Sequence, residues 1–457
     1  MTKKALFYNL KNTETVDFSK TLSNFGYEIL KVDNNFKNEQ IQNCELVCVN
    51  LNENINSQKA EFTTEDIIKD IDVKGLNILQ IAAQNHQYTA CATDSEDYKN
   101  IITEIKTLGE ISPTLRESLA IKAFEISAKY NSDVSKKLRH EYKIDKQNLL
   151  LTAKKLKTLE CGENSHQKAN LYDTNTGFRY NILNDKVLKY VDIVNITAIL
   201  DILSEFFDVP ACVIANSGIP CGAALGKNLW EAYEKAFDCN AIASMNGYAG
   251  FSQTVTKEIA THVKNAELKV IAAPAFDDEA LKVLKSCQNT IAIEIKTPLN
   301  EYKNTYLKSY KTTPFGLLEQ DFDNKDLNVD DFKIQTATKP TKEQIEDLIF
   351  AFKIAKHLKS TAVVIAKDFK AISIENGYSC LQNAIEGGVN GAMDGTKEAV
   401  ICLNGGIVTF GTLNAAAQGR ISAILYPYEG KISPTIFERA DKFKISLIQT
   451  QTTHYKY

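Results

Sequence analysis

Two stretches of the sequence, TLECGENSHQKA at residues 158–169 and PACVIANSGIPCGAA at residues 210–224, indicate how the chain is organised. The first places a carboxylate, two amides and an imidazole directly after a glycine. The second reads as an apolar strand, a Gly/Pro turn and the start of a small-residue helix. Such a joint directs backbone N–H groups and a helix N-terminus at one point, which suits an anion. Two loops of this kind could form one site, although similar joints occur in α/β proteins that hold no ligand there.

The bulk composition is that of an ordinary globular protein. A chain of 457 residues predicts two to three domains, and 24% charged with 44% hydrophobic residues is a typical balance. The net charge of −4 argues against a nucleic-acid-binding protein, which would show a basic surface. No apolar run approaches the ~20 residues of a membrane span, and the N-terminus lacks the apolar region of a signal peptide. We therefore expect a cytoplasmic protein that binds neither nucleic acid nor membrane.

Cysteine and arginine usage indicates which kinds of site are to be expected in this chain. The 10 cysteines are scattered without a C-x-x-C pair, which favours reduced, buried thiols over disulfides and predicts no metal cluster. Arginine is scarce, which does not favour a site built on bidentate binding of an anion. Lysine can bind phosphate, but without the bidentate fork of a guanidinium group.

The N-terminal part predicts a small α/β domain with a parallel sheet. Mostly apolar runs predict strands, and 3.6-residue periodicity predicts the helices between them. The predicted strands cover 5–10, 27–32 and 46–51, and the predicted helices cover 64–70, 76–84, 95–107 and 113–130. Residues 131–150 read as a charged connector, so we expect a first domain over 1–145 and a second over 151–457.

The second part predicts a larger α/β domain. Its apolar strands are 211–215, 270–273, 361–366, 399–403, 421–426 and 445–449. Thr341 and Gln344 form a capping box that predicts a helix start. A strand, a turn and a helix from 223, and again a strand, a turn and a helix from 379, look like two copies of one unit, although the similarity is too weak to establish a duplication by itself.

The loops at Gly162–Gln167 and Pro220–Ala224 resemble the hallmark loops of the PurH family, which joins an AICAR formyltransferase to an IMP cyclohydrolase. Further ordered matches lie at 46–51, 82–86, 270–274, 316–321 and 453–457, so the resemblance covers almost the whole chain. It implies an N-terminal methylglyoxal-synthase-like parallel-sheet α/β domain and a two-lobed, cytidine-deaminase-like α/β/α transformylase domain. It also implies an AICAR-like purine intermediate as ligand, 10-formyltetrahydrofolate as co-substrate and a homodimer. The chain reads as a shortened, divergent member.

The cyclohydrolase positions depart from the family pattern. The two family phosphate loops read Tyr8–Asn12 and Lys31–Asn35 here, and bulky side chains cannot imitate a loop of hydroxyls and glycines. A family tyrosine is replaced by Asn52. Asp72 alone survives from the expected site, and we predict that this activity is lost.

The formyltransferase positions depart as well. The adjacent lysine and histidine of the family fall on Asn216 and Ser217, and neither residue titrates near neutral pH. Losing one positioned acid or base costs roughly 10²- to 10⁴-fold in rate. The family arginine before the first loop becomes Glu160, and a family serine becomes Lys189.

The residues that remain are each open to two interpretations. His166 and Lys367 are the candidates for catalysis, and His166 is as consistent with a structural hydrogen bond. Cys221 suits a packed thiol better than a nucleophile, and the lysines could be solvated. His454 suits a packing role, and Asn404-Gly405-Gly406 could be an anion nest or an ordinary turn. The candidates for substrate binding are Gly162, Glu163, Asn164, Gln167, Pro220, Cys221, Gly222, Lys359 and Ser360.

Two functions stay open from the sequence. The first is a formyltransferase with a rearranged site, supported by the whole-chain resemblance. The second is an inactive family member that binds a ligand or acts as a dimerising partner, supported by the losses at both sites.

Overall fold

The computed structural model describes residues 3–10, 12–32, 36–51, 64–427 and 432–457. The sequence-based predictions for Lys11, residues 33–35 and Asn52 concern residues outside this part of the chain. The chain divides into two compact units, Met1–Thr152 and Ala153–Tyr457.

The first unit contains a four-stranded parallel sheet in the order β2-β1-β3-β4. Its strands are β1 (Lys4–Tyr8), β2 (Glu28–Lys31), β3 (Leu46–Val49) and β4 (Ala90–Ala92). Its helices are α1 (Thr13–Asn24), α2 (Thr64–Asp70), α3 (Val73–Gln84), α4 (Ser95–Leu108) and α5 (Pro113–Tyr142). The predicted parallel-sheet α/β fold of the N-terminal part is confirmed.

Helix α5 corrects the predicted connector. It begins at Pro113 after a Ser112 cap and ends only at Tyr142, which is followed by Lys143 with a φ of 52°. Residues 131–142, which we expected to be a connector, are therefore helical. Their Lys, Arg and Glu side chains are good helix formers, and charge composition alone does not separate an exposed helix from a linker.

The second unit contains a twelve-stranded sheet in the order β15-β20-β19-β18-β16-β17-β9-β8-β10-β11-β12-β7. Its first half is formed by β7 (Tyr180–Ile182), β8 (Ala211–Asn216), β9 (Ile219–Leu225), β10 (Tyr248–Phe251), β11 (Val270–Ala273) and β12 (Ile291–Ile295). Its second half is formed by β15 (Lys333–Ile334), β16 (Val363–Lys367), β17 (Lys370–Glu375), β18 (Val400–Leu403), β19 (Ala423–Pro427) and β20 (Ser446–Thr450). Two separate hairpins are β5 (Lys154–Leu159) with β6 (Ala169–Asp173), and β13 (Lys308–Thr313) with β14 (Gly316–Asp321).

Helices cover both faces of this sheet. They are α6 (Tyr190–Leu203), α7 (Leu229–Cys239), α8 (Ala241–Ser244), α9 (Lys257–Asn265), α10 (Asp278–Lys285), α11 (Lys342–Ala355), α12 (Leu381–Ala392), α13 (Phe410–Gln418) and α14 (Pro434–Lys442). Strand side chains alternate between the faces: Val213 packs with α6 and α11, whereas Ile214 packs with α7 and α9. The expected α/β/α layering is confirmed.

The stretch at residues 210–224 folds differently from the expectation. Residues 219–225 form strand β9 rather than the start of a helix, and α7 begins only at Leu229. Ser217 and Gly218 have φ values of 54° and 76°, which is the two-residue turn typical of a tight hairpin. A Cβ on Gly222 would lie 2.0 Å from the Ala236 carbonyl oxygen, so the small residues serve close packing of β9 on α7.

The two lobes repeat with a constant spacing in sequence. Helices α6 and α11 begin at 190 and 342, a difference of 152, and each has 14 residues. The same difference separates the starts of α7 and α12, at 229 and 381, and of β10 and β18, at 248 and 400. Strands β9 and β17 meet in antiparallel pairing at the centre of the sheet. The second unit is therefore a duplicated α/β/α lobe.

Candidate functional site

The turn at Asn216–Gly218 is held by hydrogen bonds to neighbouring elements. Gly218 N donates to Asn195 Oδ1 of α6 at 2.8 Å, and Asn195 is only 2% exposed. Asn216 Nδ2 donates to the Ala243 carbonyl at 2.9 Å, and Ser217 Oγ donates to Asn216 Oδ1 at 3.4 Å. Asn216 and Ser217, the positions on which we expected the family Lys-His pair to fall, are thus part of a hydrogen-bonded hairpin tip.

Two clefts open on either side of this turn. The first, of about 370 Å³, is lined by the turn, Tyr248, Lys269 and Glu163. Because Glu163 belongs to the 158–169 stretch, this cleft brings the two singled-out stretches together. The second cleft, of about 400 Å³, extends from the same turn across β9 to Glu375. We name them the Lys269 cleft and the Glu375 cleft.

Hydrogen bonds to Gln167 hold the loop at 162–167 together. Gly162 N donates to the Gln167 carbonyl at 2.8 Å. Asn164 donates to Gln167 Oε1 from its backbone N at 2.9 Å and from Nδ2 at 3.0 Å. Gly162, Asn164 and Gln167 therefore shape the loop, whereas Glu163 reaches the Lys269 cleft and His166 is exposed.

Glu160 and Lys189, two positions that differ from the family pattern, form an ion pair with each other. Lys189 Nζ lies 2.9 Å from Glu160 Oε2, and this bond raises the pKa of Lys189. Lys189 also directly precedes α6, and its backbone N donates to Asp192 Oδ2 at 2.8 Å. The negative charge of Glu160 is therefore matched locally by a lysine.

The three β9 candidates are packing residues at the edge of the Glu375 cleft. Pro220 is buried, and Gly222 lies against α7 as described above. Burial raises the pKa of the Cys221 thiol to about 11, which disfavours the thiolate that a nucleophile requires.

The lysine candidates lie at opposite ends of β16. Val363, which begins β16, pairs with Glu375, so Lys359 and Ser360 are at the edge that carries the clefts. Lys367 ends the same strand, about 13 Å from Val363 at 3.3 Å per residue. It donates to the Lys397 carbonyl at 3.0 Å, so the structure does not bring Lys367 to either cleft.

Comparisons with known proteins identify the family. The model of the AICARFT/IMPCHase bienzyme family matches residues 82–386. A bifunctional purine biosynthesis protein PurH of Caldicellulosiruptor bescii is 31% identical over 87% of this chain and 79% of its own length. One of Clostridium botulinum (strain Hall) is 32% identical over 90% of this chain and 81% of its own length. The chain belongs to the AICARFT/IMPCHase bienzyme family.

The match to family members extends over the full chain. A PurH of Caldicellulosiruptor saccharolyticus is 29% identical in an alignment of 521 positions that covers 100% of both proteins. Since this chain has 457 residues, that relative carries segments that this member lacks. A solved structure titled "Crystal structure of ForH" matches 30% of the chain at 16% identity, with a TM-score of only 0.26.

The C-terminal segment of this family member covers the 404–406 turn. Gly406 N donates to Tyr455 Oη at 3.1 Å, and a Cβ on Gly405 would lie 2.3 Å from the Tyr455 ring. The Tyr455 side chain therefore fills the space beside this turn. Nearby, Ser360 Oγ accepts hydrogen bonds from Asn404 Nδ2 at 3.0 Å and from Lys456 N at 3.1 Å.

His454 packs inside this region. Its Nδ1 lies 2.5 Å from Asp323 Oδ2, and its ring lies 5.0 Å from the Phe352 ring. Burial opposes ionisation of Asp323, but the bond to His454 lowers the pKa of this carboxyl group. These contacts favour the packing interpretation of His454.

Glu375 is a site residue that the sequence reasoning missed. It lines the Glu375 cleft, and its two carboxylate oxygens accept from Ser373 Oγ at 2.8 Å and Tyr378 Oη at 2.7 Å. The bond to Glu375 raises the pKa of Tyr378. No local sequence pattern indicates this position, because Glu375 reaches the Asn216 turn only through the pairing of β17 with β9.

In the first unit, Asp72 is engaged by its neighbours. Its Oδ1 caps α3 by accepting from Gly75 N at 2.8 Å and also accepts from Tyr8 Oη at 2.5 Å. Its backbone N donates to Tyr130 Oη at 2.8 Å, and the residue is only 7% exposed. Burial and this carboxylate together raise the pKa of Tyr8.

The crevice at the carboxyl ends of β1 and β3 contains a second internal network. Such a crevice, where the strand order reverses, is the usual ligand position of an open α/β sheet. Here Asn50 Nδ2 donates to Thr15 Oγ1 at 2.9 Å, and Asn50 Oδ1 accepts from Tyr98 Oη at 3.1 Å. Asn9 Nδ2 donates to the Asn50 carbonyl at 3.0 Å.

The described residues contain no group of three or more His, Cys, Asp or Glu side chains arranged to hold a metal ion. Their helices include none with the length and apolar character needed to cross a membrane.

Proposed function

We propose that this family member binds an AICAR-like intermediate in the clefts beside the Asn216–Ser217 turn and transfers formyl groups at most feebly. The observation that carries the proposal is the role of these two residues. They form a tight hairpin tip, and their side chains bond to each other and to the Ala243 carbonyl. Formyl transfer needs a base for a weakly nucleophilic amine and an acid for the leaving folate nitrogen. An amide and a hydroxyl in these positions supply neither near neutral pH.

Retention of a ligand is supported by the clefts themselves. The Lys269 cleft offers a lysine, and the Lys269 ammonium lies 5.7 Å from the centre of the Tyr248 ring. Glu163, Asn216 and Ser217 line the same cleft and provide further polar groups. A lysine with these groups at a hairpin tip suits a small polar molecule better than an apolar one.

Loss of the cyclohydrolase activity is a second part of the proposal. Its support is that Asp72 is committed to capping α3 and to Tyr8, while the crevice between β1 and β3 holds the Asn50 network. A carboxylate that is only 7% exposed is poorly placed to bind a substrate. We expect purified protein to show no measurable IMP formation from the formylated intermediate.

A steady-state assay with AICAR and 10-formyltetrahydrofolate tests the main proposal. The double variant Asn216→Lys/Ser217→His restores the residue types that the family resemblance places there, and we expect it to exceed the wild type. The two losses need not be additive, because residues that act as a unit are not independent. Binding is read in parallel from the shift in melting temperature on adding AICAR.

A normal turnover of ~1 to 10³ s⁻¹ by the wild type would contradict the proposal. The alternative, a formyltransferase with a rearranged site, would then hold. His166 and Lys367 remain its candidates for catalysis, and the exposed His166 would be mutated first, because Lys367 lies at the far end of β16.

Homodimer formation is the third part of the proposal. The β13–β14 hairpin exposes Phe315, Leu317 and Leu318, and such clustered apolar exposure is typical of a surface covered by a partner. Sedimentation of the wild type at micromolar concentration should give the mass of two chains. A Phe315→Ser/Leu318→Ser variant should shift the mass toward one chain, whereas a monomeric wild type would refute this part.

A further inference from the structure

We propose that Glu375 contacts the ligand directly and that its carboxylate accepts N–H groups from an amine- or amide-bearing heterocycle. The inference rests on the proposed function, because it assumes that the clefts bind an AICAR-like compound. It adds which group of this chain recognises the nitrogen-rich edge of that compound.

The position of Glu375 is fixed by the fold and by two hydroxyl groups. It is the last residue of β17, and the antiparallel pairing of β17 with β9 carries it toward Asn216 and Pro220 across the cleft. Ser373 Oγ donates to one carboxylate oxygen and Tyr378 Oη to the other. A carboxylate accepts about four hydrogen bonds, so capacity remains on both oxygens for a ligand.

The electrostatics of the cleft select for a hydrogen-bond donor. The other ionisable residues in its lining are Cys221 and Cys239, and burial raises their thiol pKa values to about 11 and about 12. Both thiols therefore stay protonated near neutral pH, and the lining residues of this cleft include neither lysine nor arginine. A phosphate or carboxylate would be repelled by Glu375, whereas an amine or amide N–H would be attracted.

The chemistry of an aminoimidazole carboxamide fits this requirement. Its adjacent amino and carboxamide groups present N–H donors on one edge, and a carboxylate is the acceptor-only side chain that can receive them. A charge-assisted bond of this type is among the stronger hydrogen bonds in proteins. The phosphate of the ribotide must then point away from the Glu375 cleft.

The test compares Glu375→Gln with the wild type and with a matched control. The control is Glu386→Gln on α12, whose Oε1 accepts from Gln382 Nε2 at 2.8 Å and which does not line the cleft. Isothermal titration with AICAR and with its phosphate-free nucleoside gives the dissociation constants. We expect Glu375→Gln to weaken binding of both compounds by roughly 10- to 100-fold, and Glu386→Gln to leave both unchanged.

The outcomes separate the two proposals. Equal affinity of the wild type and Glu375→Gln overturns the role of Glu375 and leaves the proposed function standing. Absence of binding of either compound to the wild type overturns the proposed function, and the Glu375 assignment with it. Tyr378→Phe, which removes one donor to Glu375 and keeps its charge, is the second variant. It should retain binding within a few-fold, and a loss as large as that of Glu375→Gln would mean that both act only through the local fold.

Discussion

Glu205 Oε1 and His357 Nε2 lie 2.9 Å apart in the core, and the two residues occupy equivalent positions of the duplicated lobes. Their numbers differ by the same 152 that separates α6 from α11. Both are buried, and Lys303 and Lys356 bring their ammonium groups to 2.8 and 3.3 Å from the same Glu205 oxygen. The junction of the lobes therefore has charged groups at its centre, where the Glu205 carboxylate contacts one histidine and two lysines.

The Glu205→Gln variant should be strongly destabilised. It removes the buried counterion of two lysines, and breaking a buried ion pair in this way costs about 3–5 kcal/mol. The measurement is the free energy of unfolding in urea. Glu279→Gln is the control, because Glu279 pairs with Lys282 at the surface, where ion pairs contribute little. A Glu205→Gln variant as stable as the control would contradict this account of the junction.

The same cluster predicts loss of stability in acid. Burial opposes ionisation of Glu205, yet the bond to His357 and the charges of the cluster hold its pKa well below the ordinary 4.5. A depressed carboxyl pKa stabilises the fold above the unfolded pKa, and the gain is lost as pH falls below about 4.5. Burial also lowers the pKa of His357 from 6.5, so the unfolded chain binds its proton first as pH falls below about 6.5.

Urea midpoints measured from pH 7.5 to 4 test this prediction. We expect a decline that begins near pH 6.5 and steepens below pH 4.5. His357→Gln should flatten the upper part of the curve and keep a weaker decline below pH 4.5, because Lys303 and Lys356 still face the Glu205 carboxylate. A stability that is constant between pH 6.5 and 4 would contradict the assignment.

Two glycine-to-alanine substitutions should have opposite effects. At Gly222 the new Cβ would lie 2.0 Å from the Ala236 carbonyl oxygen, and overpacking of this kind costs about 1–3 kcal/mol or more. At Gly391 in α12 a Cβ meets nothing within 4 Å, and replacing a helical glycine gains up to about 1 kcal/mol. Thermal unfolding of the two variants gives the comparison, and a stable Gly222→Ala would show that β9 can move away from α7.

Asn195 and Asp347 hold equivalent hairpin turns, which lie at opposite ends of the central strands of the sheet. Asn195 accepts from Gly218 N, whereas Asp347 accepts from Asp368 N at 3.0 Å and from Phe369 N at 2.8 Å. Asn195→Ala leaves one turn N–H without its partner and Asp347→Ala leaves two, and each lost bond should cost about 1–3 kcal/mol. Titration with AICAR should separate the two: Asn195→Ala weakens binding, because its turn lines the clefts, whereas Asp347→Ala does not. Equal loss from both would indicate a general effect of instability.

Much of the fold was accessible from local patterns. The capping box at Thr341 forms as predicted, with Gln344 N donating to Thr341 Oγ1 at 3.2 Å and Thr341 N donating to Gln344 Oε1 at 3.0 Å. The apolar runs that predicted strands form them, because a strand covered on both faces needs such a run. The hallmark loops also indicated the family that the comparisons then showed.

The sequence by itself determined the family, the α/β class and the starts of several helices, since these depend on residues close together in the chain. Tertiary structure decided that the stretch from 219 to 225 is a strand, because the small residues there suit a helix start as well as a strand packed closely on α7. It also decided that Glu375 faces Asn216 and that Glu205 meets His357. These contacts depend on strand pairing and lobe packing between residues more than 150 positions apart, and no short-range pattern in the sequence specifies which of many possible partners is reached.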